Sequence, residues 1–265
     1  MSRYTALIDG DVLVYTIGHS SQKKLPDGVT LEVEPFEFAV RKLKLLIHSI
    51  LAQCNTRSYC IYLTLGKTSF RRDLMHFIHY KGQRKEDSKP VHYQALREHI
   101  ACTYAHQWVD ILEADDALGT SICSKYTGTG IICTIDKDLD MIPGNHFNFR
   151  TGEHYITSDR SKLQVSENGR KLYGGGILWL YCQLLLGDIS DNITGIKGIG
   201  PKNCWKLLQD VETEERAFRL VTRLYEEEYP EDGRARFDEA VDLLYIHRSP
   251  QDLTTPYSLQ LRRRY

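Results

Sequence analysis

The sequence predicts an α/β protein with a mostly parallel central sheet flanked by helices, followed by a C-terminal helical region. Three observations predict it. Over the first part of the chain, β-rich runs alternate with segments of helical periodicity, the pattern of strands joined by helical crossovers. The run "GIICTID" (130–136) is apolar until acids stop it, as expected of a strand covered on both faces. From residue 177 onward, β-type runs give way to helical spacing.

Taken in order, "YTALIDGDVLVY" opens with a short β-type run that ends at Asp9. "EPFEFAVRKLKLLIHSILAQC" (34–54) spaces its apolar residues as an amphipathic helix does. "SYCIYLTLG" (58–66) is β-rich and is expected to stop at Gly66. The segment from about 67 to 100 is basic and aromatic, has weak periodicity and contains Pro90. "WVDIL" (108–112) reads as a strand and "ADDALGTSICSKY" (114–126) as a helix. "NHFNFR" and "EHYIT" (145–157) pair as a hairpin across Thr151–Gly152. "NGRKLYGGG" (168–176) is the expected seam, giving a core of residues 1–175 and a helical region of residues 176–265. In the latter, "ILWLYCQLLLGD", "PKNCWKLLQD", "TEERAFRLVTRLYEEEY" and "RARFDEAVDLLYIHR" read as helices, and the tail "SPQDLTTPYSLQLRRRY" has no clear period.

Composition bounds the function. With 265 residues, 42% hydrophobic and 26% charged, the chain is of ordinary globular type and long enough to bury a core. No stretch approaches the roughly 20 apolar residues of a membrane span. The start, "MSRYTALIDGD", lacks the apolar core and cleavage site of a signal peptide, so a cytoplasmic location is expected. Seven widely spaced cysteines without a C-x-x-C pair suggest free buried thiols rather than a zinc ribbon or a disulfide framework. A net charge of −1 argues against a simple basic nucleic-acid binder, yet residues 70–89 carry an excess of Lys and Arg.

The acids fall at strand ends. Asp9 and Asp11 follow the first strand; Glu113, Asp115 and Asp116 follow "WVDIL"; Asp136, Asp138 and Asp140 follow "GIICTI". Ligand sites of open parallel sheets form at the carboxyl ends of strands, so three strands deliver acids to one edge. Asp188 and Asp191, three apart in "LLLGDISDN", share one helical face or turn inward together in a tight turn. Any one cluster could simply cap backbone N–H groups. Convergence of so many acids without nearby cations is costly unless a metal binds. Oxygen-only donors select Mg²⁺ or Mn²⁺ over zinc. Two such ions about 3.5–4 Å apart are the usual apparatus of phosphodiester hydrolysis. Asp11 and Asp140 are expected to cap or to support the other acids from behind, and His19 and His146 are expected at the surface. Walker, dinucleotide and G-x-S-x-G signatures are missing from the sequence.

"DNITGIKGIGPKNCWKLL" (191–208) carries the second signal. Gly195, Gly198 and Gly200 let backbone approach a ligand, and Pro201 suits the first turn of the next helix. The free N–H groups at that helix start can hold a phosphate, with Lys197 and Lys202 adding charge. This is the pattern of a helix–hairpin–helix, at about 184–210, which grips a DNA backbone without reading bases. "HYKGQRKED" (79–87) reads either as a solvated basic loop or as a clamp in which Lys81 and Arg84 meet phosphates and Tyr80 stacks on an exposed base.

The motifs "IDGD", "FR…YKGQR", "EADD", "TIDKDLD" and "LLLGDISDNITGIKGIGPK", in this order from Asp9 to Lys202, resemble the metal-dependent 5′ nuclease superfamily. That superfamily includes flap endonucleases, bacteriophage 5′-exonucleases and the 5′-nuclease domain of bacterial DNA polymerase I. The resemblance implies a PIN-like 5′ nuclease core. It implies that Asp9, Glu113, Asp115, Asp116, Asp136, Asp138, Asp188 and Asp191 hold two Mg²⁺ (or Mn²⁺) ions. It implies that Lys81 and Arg84 act on the scissile phosphate from an arch or clamp at about 67–100, with Tyr80 as the aromatic there. It implies that the Gly195–Lys202 hairpin binds duplex backbone and K⁺. The implied activity is 5′→3′ exonuclease and structure-specific flap endonuclease cleavage leaving 5′-phosphates. The implied partner is DNA at 5′ ends, flaps and single-strand/duplex junctions, or an RNA–DNA hybrid, bound by a monomer in the cytoplasm of a bacterial cell or a phage-infected host. One departure stands out: Gly66 or Lys67 occupies the place where many members carry an Asp after the second strand, which leaves one acid fewer for the second ion. Two other readings follow: a catalytically weak junction-binding protein, and a PIN-type ribonuclease.

Overall fold

Ala6, Leu7 and Ile8 have no exposed surface, which makes β1 (Thr5–Asp9) an interior strand. In the computed structural model, which describes residues 3–26, 30–83, 89–159 and 162–265 (backbone alone for Lys67 and Thr68), contacts divide the chain into two units. Unit one comprises Met1–Lys67, Lys85–Asp136 and Gly144–Tyr155; unit two comprises Thr68–Arg84, Lys137–Pro143 and Ile156–Tyr265.

In unit one, β1 runs directly into α1 (Gly10–Ser20), and β2 (Gln22–Lys24) pairs antiparallel with β3 (Leu31–Val33). α2 (Phe36–Gln53) buries Ala39, Leu43, Ile47 and Ile50, one stripe at helical spacing. β4 (Ser58–Ser69), α3 (Tyr93–Thr103), β5 (His106–Ile111), α4 (Ala114–Cys123), β6 (Gly130–Thr134), β7 (Gly144–Asn148) and β8 (Glu153–Thr157) complete the order. The six-stranded sheet runs β5-β4-β1-β6-β7-β8. β1 lies parallel to β4 and β6, and β6 lies parallel to β7. Alternation divides β1 between two faces. Ala6 and Ile8 join Leu13 and Val14 of α1, Leu43 and Ile47 of α2, and Leu96 and Ile100 of α3 in one apolar cluster. This is the predicted class, a mostly parallel sheet flanked by helices.

Local differences have physical reasons. β4 continues past Gly66 to Ser69. α1 is a helix although "DVLVYTI" is rich in β-branched residues; Asp9 caps it by accepting the Val12 N–H at 3.0 Å. α3 lies in the stretch of weak periodicity. Pro90 stands just before it, and its carbonyl accepts the Tyr93 N–H at 2.9 Å. The β7–β8 hairpin turns where expected, with the Gly152 N–H on the Asn148 carbonyl and φ +75° at Gly152.

In unit two, 3-10 turns at Phe70–Leu74 and Lys137–Met141 precede the short antiparallel pair β9 (Gln164–Val165) and β10 (Leu172–Tyr173). The expected seam, 168–176, therefore lies inside this unit. α5 (Ile177–Leu186) is apolar on every side. It is joined through the pair β11 (Gly187–Asp188) and β12 (Ile193–Thr194) to α6 (Pro201–Leu208). α5 packs against α6, α7 (Glu214–Glu228) and α8 (Gly233–Leu244), which explains its all-round burial. The unpatterned tail forms a 3-10 turn at Pro250–Leu253 and α9 (Tyr257–Arg264). A reciprocal Ser249–Asp252 capping box starts that turn, and Tyr257 stacks on Tyr245 at 3.6 Å. Among the described residues, no helix is long and apolar enough to cross a membrane.

Gly10 shows how closely α1 is held to the sheet. A Cβ there would collide with the Tyr62 carbonyl oxygen and reach the side chains of Ile61 and Leu63 at 2.8 Å. Gly10→Ala is expected to lower stability by about 1–3 kcal/mol through overpacking, read as a lower urea midpoint at unchanged slope.

Candidate metal centre

Asp9 ends β1 with no exposed surface. One carboxylate oxygen accepts the Val12 N–H, and the other accepts the Thr134 hydroxyl at 2.8 Å. Thr134 ends β6, the neighbouring parallel strand, in the register that pairs Ile8 with Cys133. The Thr134 hydroxyl oxygen in turn accepts the Asp136 N–H at 3.0 Å. The Asp9 carboxyl is pushed up to about 7, chiefly by burial and further by the charges of Asp11 and Asp136; its hydrogen bonds from Val12 and Thr134 oppose the shift. Each oxygen keeps a lone pair for a further partner.

Asp11, one helical position into α1, faces β4 and α3. It accepts the Arg97 guanidinium at 2.8 Å and the Thr64 N–H at 3.2 Å. Burial raises its pKa; Thr64 and Arg97 oppose the rise. Arg97 is buried and also donates to the Thr64 carbonyl. Asp11 is thus ion-paired and supports the site from behind rather than capping.

The crowded "EADD" motif begins α4. Glu113 is the N-cap of a reciprocal capping box: its side chain accepts from the Asp116 backbone, while Asp116 accepts the Glu113 N–H at 3.2 Å. Asp116 is fully buried and Asp115 is half-buried in the first turn, where the helix dipole favours negative charge. The Ala114 N–H donates to the Thr64 hydroxyl at 3.0 Å, so β4 helps fix this turn. Capping and ligand duty are compatible, because a carboxylate that caps still has free lone pairs. Among the described residues, no three His, Cys, Asp or Glu side chains close into a ready-made cation cage.

Unit two holds the remaining acids. Asp138 accepts the Gln183 amide of α5 at 2.9 Å. Asp188 accepts the Ser190 and Asp191 N–H groups at 2.8 and 3.3 Å, so the Asp188–Asp191 pair lies in a tight turn and not on a helix face. The Asp140 carbonyl accepts the Gly176 N–H at 2.9 Å. The glycine hairpin follows. A Cβ on Gly187, which has φ +75°, would stand 2.5 Å from the Gly195 nitrogen, so the two backbones touch. Gly198 has φ +79°, and the space around Gly198 and Gly200 is open, leaving the start of α6 accessible. Lys197 and Lys202 are exposed. α5, the β11–β12 pair and α6 follow one another in this order.

Two expectations need correction. Tyr80 is only 5% exposed, and its ring face carries the Lys81 ammonium at 4.7 Å. Its ring is therefore covered rather than offered to a base, because it serves as a floor under Lys81. His146 is buried on the inward face of β7 and stacks on Tyr155 at 5.2 Å, whereas His19 is exposed as expected. Arg84 lies outside the described residues. Sequence reading missed Thr64, Arg97, Thr134 and Gln183, all neutral or basic partners of acids. Arg97 stands among Gln94, Glu98 and His99, so its sequence neighbourhood does not mark it.

Comparison with known proteins sets this geometry in context. No protein-family model matches the chain. A DNA polymerase I of Bacillus caldotenax is 27% identical over 215 residues, covering 77% of this chain and 23% of that protein. A flap endonuclease Xni of Shewanella sp. (strain ANA-3) is 29% identical over 161 residues, covering 59% of this chain and 56% of that one. A 5′-3′ exonuclease of Buchnera aphidicola is 28% identical over 190 residues, covering 68% and 59%. The chain thus spans between about a quarter and three fifths of these relatives. Among solved structures, a zinc-bound T5 5′-exonuclease superposes with a TM-score of 0.55 at 18% identity. A bacteriophage T5 flap endonuclease complexed with DNA and metal ions superposes with a TM-score of 0.56 at 17% identity. Both cover 98% of each chain, which shows the fold.

Burial of Asp9 has a measurable sign. Its folded pKa of about 7 exceeds the ordinary 3.8, so the folded state binds the extra proton between those values, and stability falls as pH rises through that window. Asp9→Asn keeps the cap and removes the charge. In chelator, it is expected to be more stable than the native sequence at pH 8, by about 2 kcal/mol, with the gain vanishing towards pH 4. Denaturant melts at both pH values check this.

Proposed function

We propose, from a likeness to the 5′ nuclease superfamily in both sequence and fold, that this chain is a divalent-metal-dependent 5′→3′ exonuclease and flap endonuclease. It hydrolyses DNA phosphodiesters and leaves 5′-phosphates. The observation that carries the proposal is the buried Asp9 carboxylate, set against Asp11 and Asp136, whose raised pKa shows that the hydrogen bonds from Val12 and Thr134 do not offset its burial. Such a group calls for a cation, and an all-oxygen neighbourhood suits Mg²⁺ or Mn²⁺.

In unit one, Asp9, Glu113, Asp115, Asp116 and Asp136 are the residues that would hold divalent metal; in unit two, Asp138, Asp188 and Asp191 are the carboxylates that would do so. When bound, the ions supply an activated water and neutralise charge at the leaving oxygen. The chain supplies the rest. Thr134 aims the Asp9 carboxylate, and Gln183 aims Asp138. Lys81, seated on Tyr80, and Arg84 balance charge at the phosphate. Gly195, Gly198 and Gly200, with Lys197 and Lys202, bring exposed backbone N–H groups and positive charge to a duplex backbone, and K⁺ fits the same hairpin. Residues 1–175 then act as the catalytic core and 176–265 as the DNA-binding region. The substrate is DNA with 5′ ends, flaps or junctions, an RNA–DNA hybrid being a further candidate, and the protein works as a cytoplasmic monomer.

One observation favours a second reading. Gly66 and Lys67, neither of them an acid, lie in β4 where the resemblance leads to an Asp, and Asp11 is paired with Arg97. A catalytically weak junction-binding protein would look like this. The glycine hairpin argues against a PIN-type ribonuclease, because it suits duplex backbone.

Cleavage of a 5′-labelled flap duplex with and without Mg²⁺ decides between them. Metal-dependent release of short 5′ products is expected, with Asp115→Ala inactive. Thr134→Val, which keeps shape but removes the hydroxyl donated to Asp9, is expected to slow cleavage about 10–100-fold. Salt-sensitive binding without product would replace the enzyme by the binding protein.

A further inference from the structure

Two turns of unit two are joined by a backbone hydrogen bond and by the Asn192 side chain. Lys81 has φ +55° and Asn192 has φ +61°, both left-handed. Asn tolerates that conformation, whereas Lys adopts it rarely and needs its surroundings to hold it there. The Lys81 N–H donates to the Asp191 carbonyl at 3.0 Å. The Asn192 side-chain amide donates to the His79 carbonyl at 3.0 Å, and its oxygen accepts the Gln83 amide at 2.7 Å. The His79 carbonyl also accepts the Gly82 N–H at 2.9 Å, closing the turn around Lys81. A carbonyl can only accept, so the orientation of the Asn192 amide is fixed by its partner.

The chain before this turn is anchored independently. The Glu239 carboxylate accepts the N–H groups of His76, Phe77 and Ile78 at 2.8–3.0 Å. The buried Arg71 guanidinium donates to the Leu243 and Tyr245 carbonyls at 2.9 and 2.8 Å. Residues 71–78 are thus held by α8 and its exit. The Lys81 turn relies on Asn192, Asp191 and the Tyr80 floor.

Resting on the nuclease reading above, we propose that Asn192 is a positioning residue: it keeps the Lys81 turn in register with the Asp188–Asp191 turn, so that the cation and the carboxylates address the same phosphate. In this reading Asn192 acts through the Lys81 turn, by its bonds to His79 and Gln83. Its loss should slow the chemical step and leave duplex affinity, which belongs to the glycine hairpin, nearly unchanged.

Asn192→Gly keeps the left-handed backbone and deletes both side-chain hydrogen bonds. Single-turnover cleavage of a labelled flap duplex in Mg²⁺ is expected to slow about 10–100-fold, while affinity measured without divalent metal changes less than about threefold. In a Lys81→Ala background, the same substitution should cost nothing more, because both act through one group. Hydrogen exchange should show lost protection at residues 79–83 with α5–α8 unaffected. An unchanged rate, multiplicative losses in the double variant, or unchanged exchange would each overturn the proposal. A native protein that cuts nothing would remove the nuclease reading instead, and exchange alone would then decide the lock.

Discussion

The structure depends on a buried carboxylate at a strand end. Asp9 closes β1, opens α1 and binds β6 through Thr134, so one side chain joins three elements of the sheet edge. The cost of burying it is visible in its raised pKa. The surrounding fold makes that cost tolerable, because Ala6 and Ile8 are packed within an apolar cluster with α1, α2 and α3 that holds the strand in place. In the proposed function, this destabilised charge on a fixed frame is what a cation would relieve.

Unit two solves a different problem with backbone rather than side chains. Gly187 against Gly195 brings two strands of a tight turn into direct contact, and the open space around Gly198 and Gly200 leaves N–H groups at the start of α6 accessible. In the proposed function such a surface would meet phosphates and carry no base code. Asp188 folds back on Ser190 and Asp191, which gives the acidic turn a shape of its own before any ligand arrives.

What the sequence disclosed is what local chemistry encodes. Strands ended by acids, the amphipathic α2 and the glycine hairpin were legible because each carries its signal in consecutive residues. α1 was hidden because its β-branched residues suit a strand as well; only the Asp9 cap and contacts with the sheet decide otherwise. α3 and α9 were hidden by weak period and short length. The covered ring of Tyr80 and the buried His146 follow from tertiary partners that spacing cannot reveal. The same holds for Arg97, whose meaning lies in Asp11, more than eighty positions earlier. For Glu113 and Asp116, the plain capping role and the proposed ligand role fall on the same atoms, so sequence alone had no means of separating them.

The most direct test of the claim that a cation relieves the Asp9 cluster is the proton count of metal binding. Mn²⁺ titration by calorimetry, in two buffers of different ionisation enthalpy, measures it. At pH 6, where Asp9 holds a proton, binding should release about one proton per chain, and at pH 8.5 close to none. Binding without proton release at pH 6, or no binding at either pH, would contradict the account.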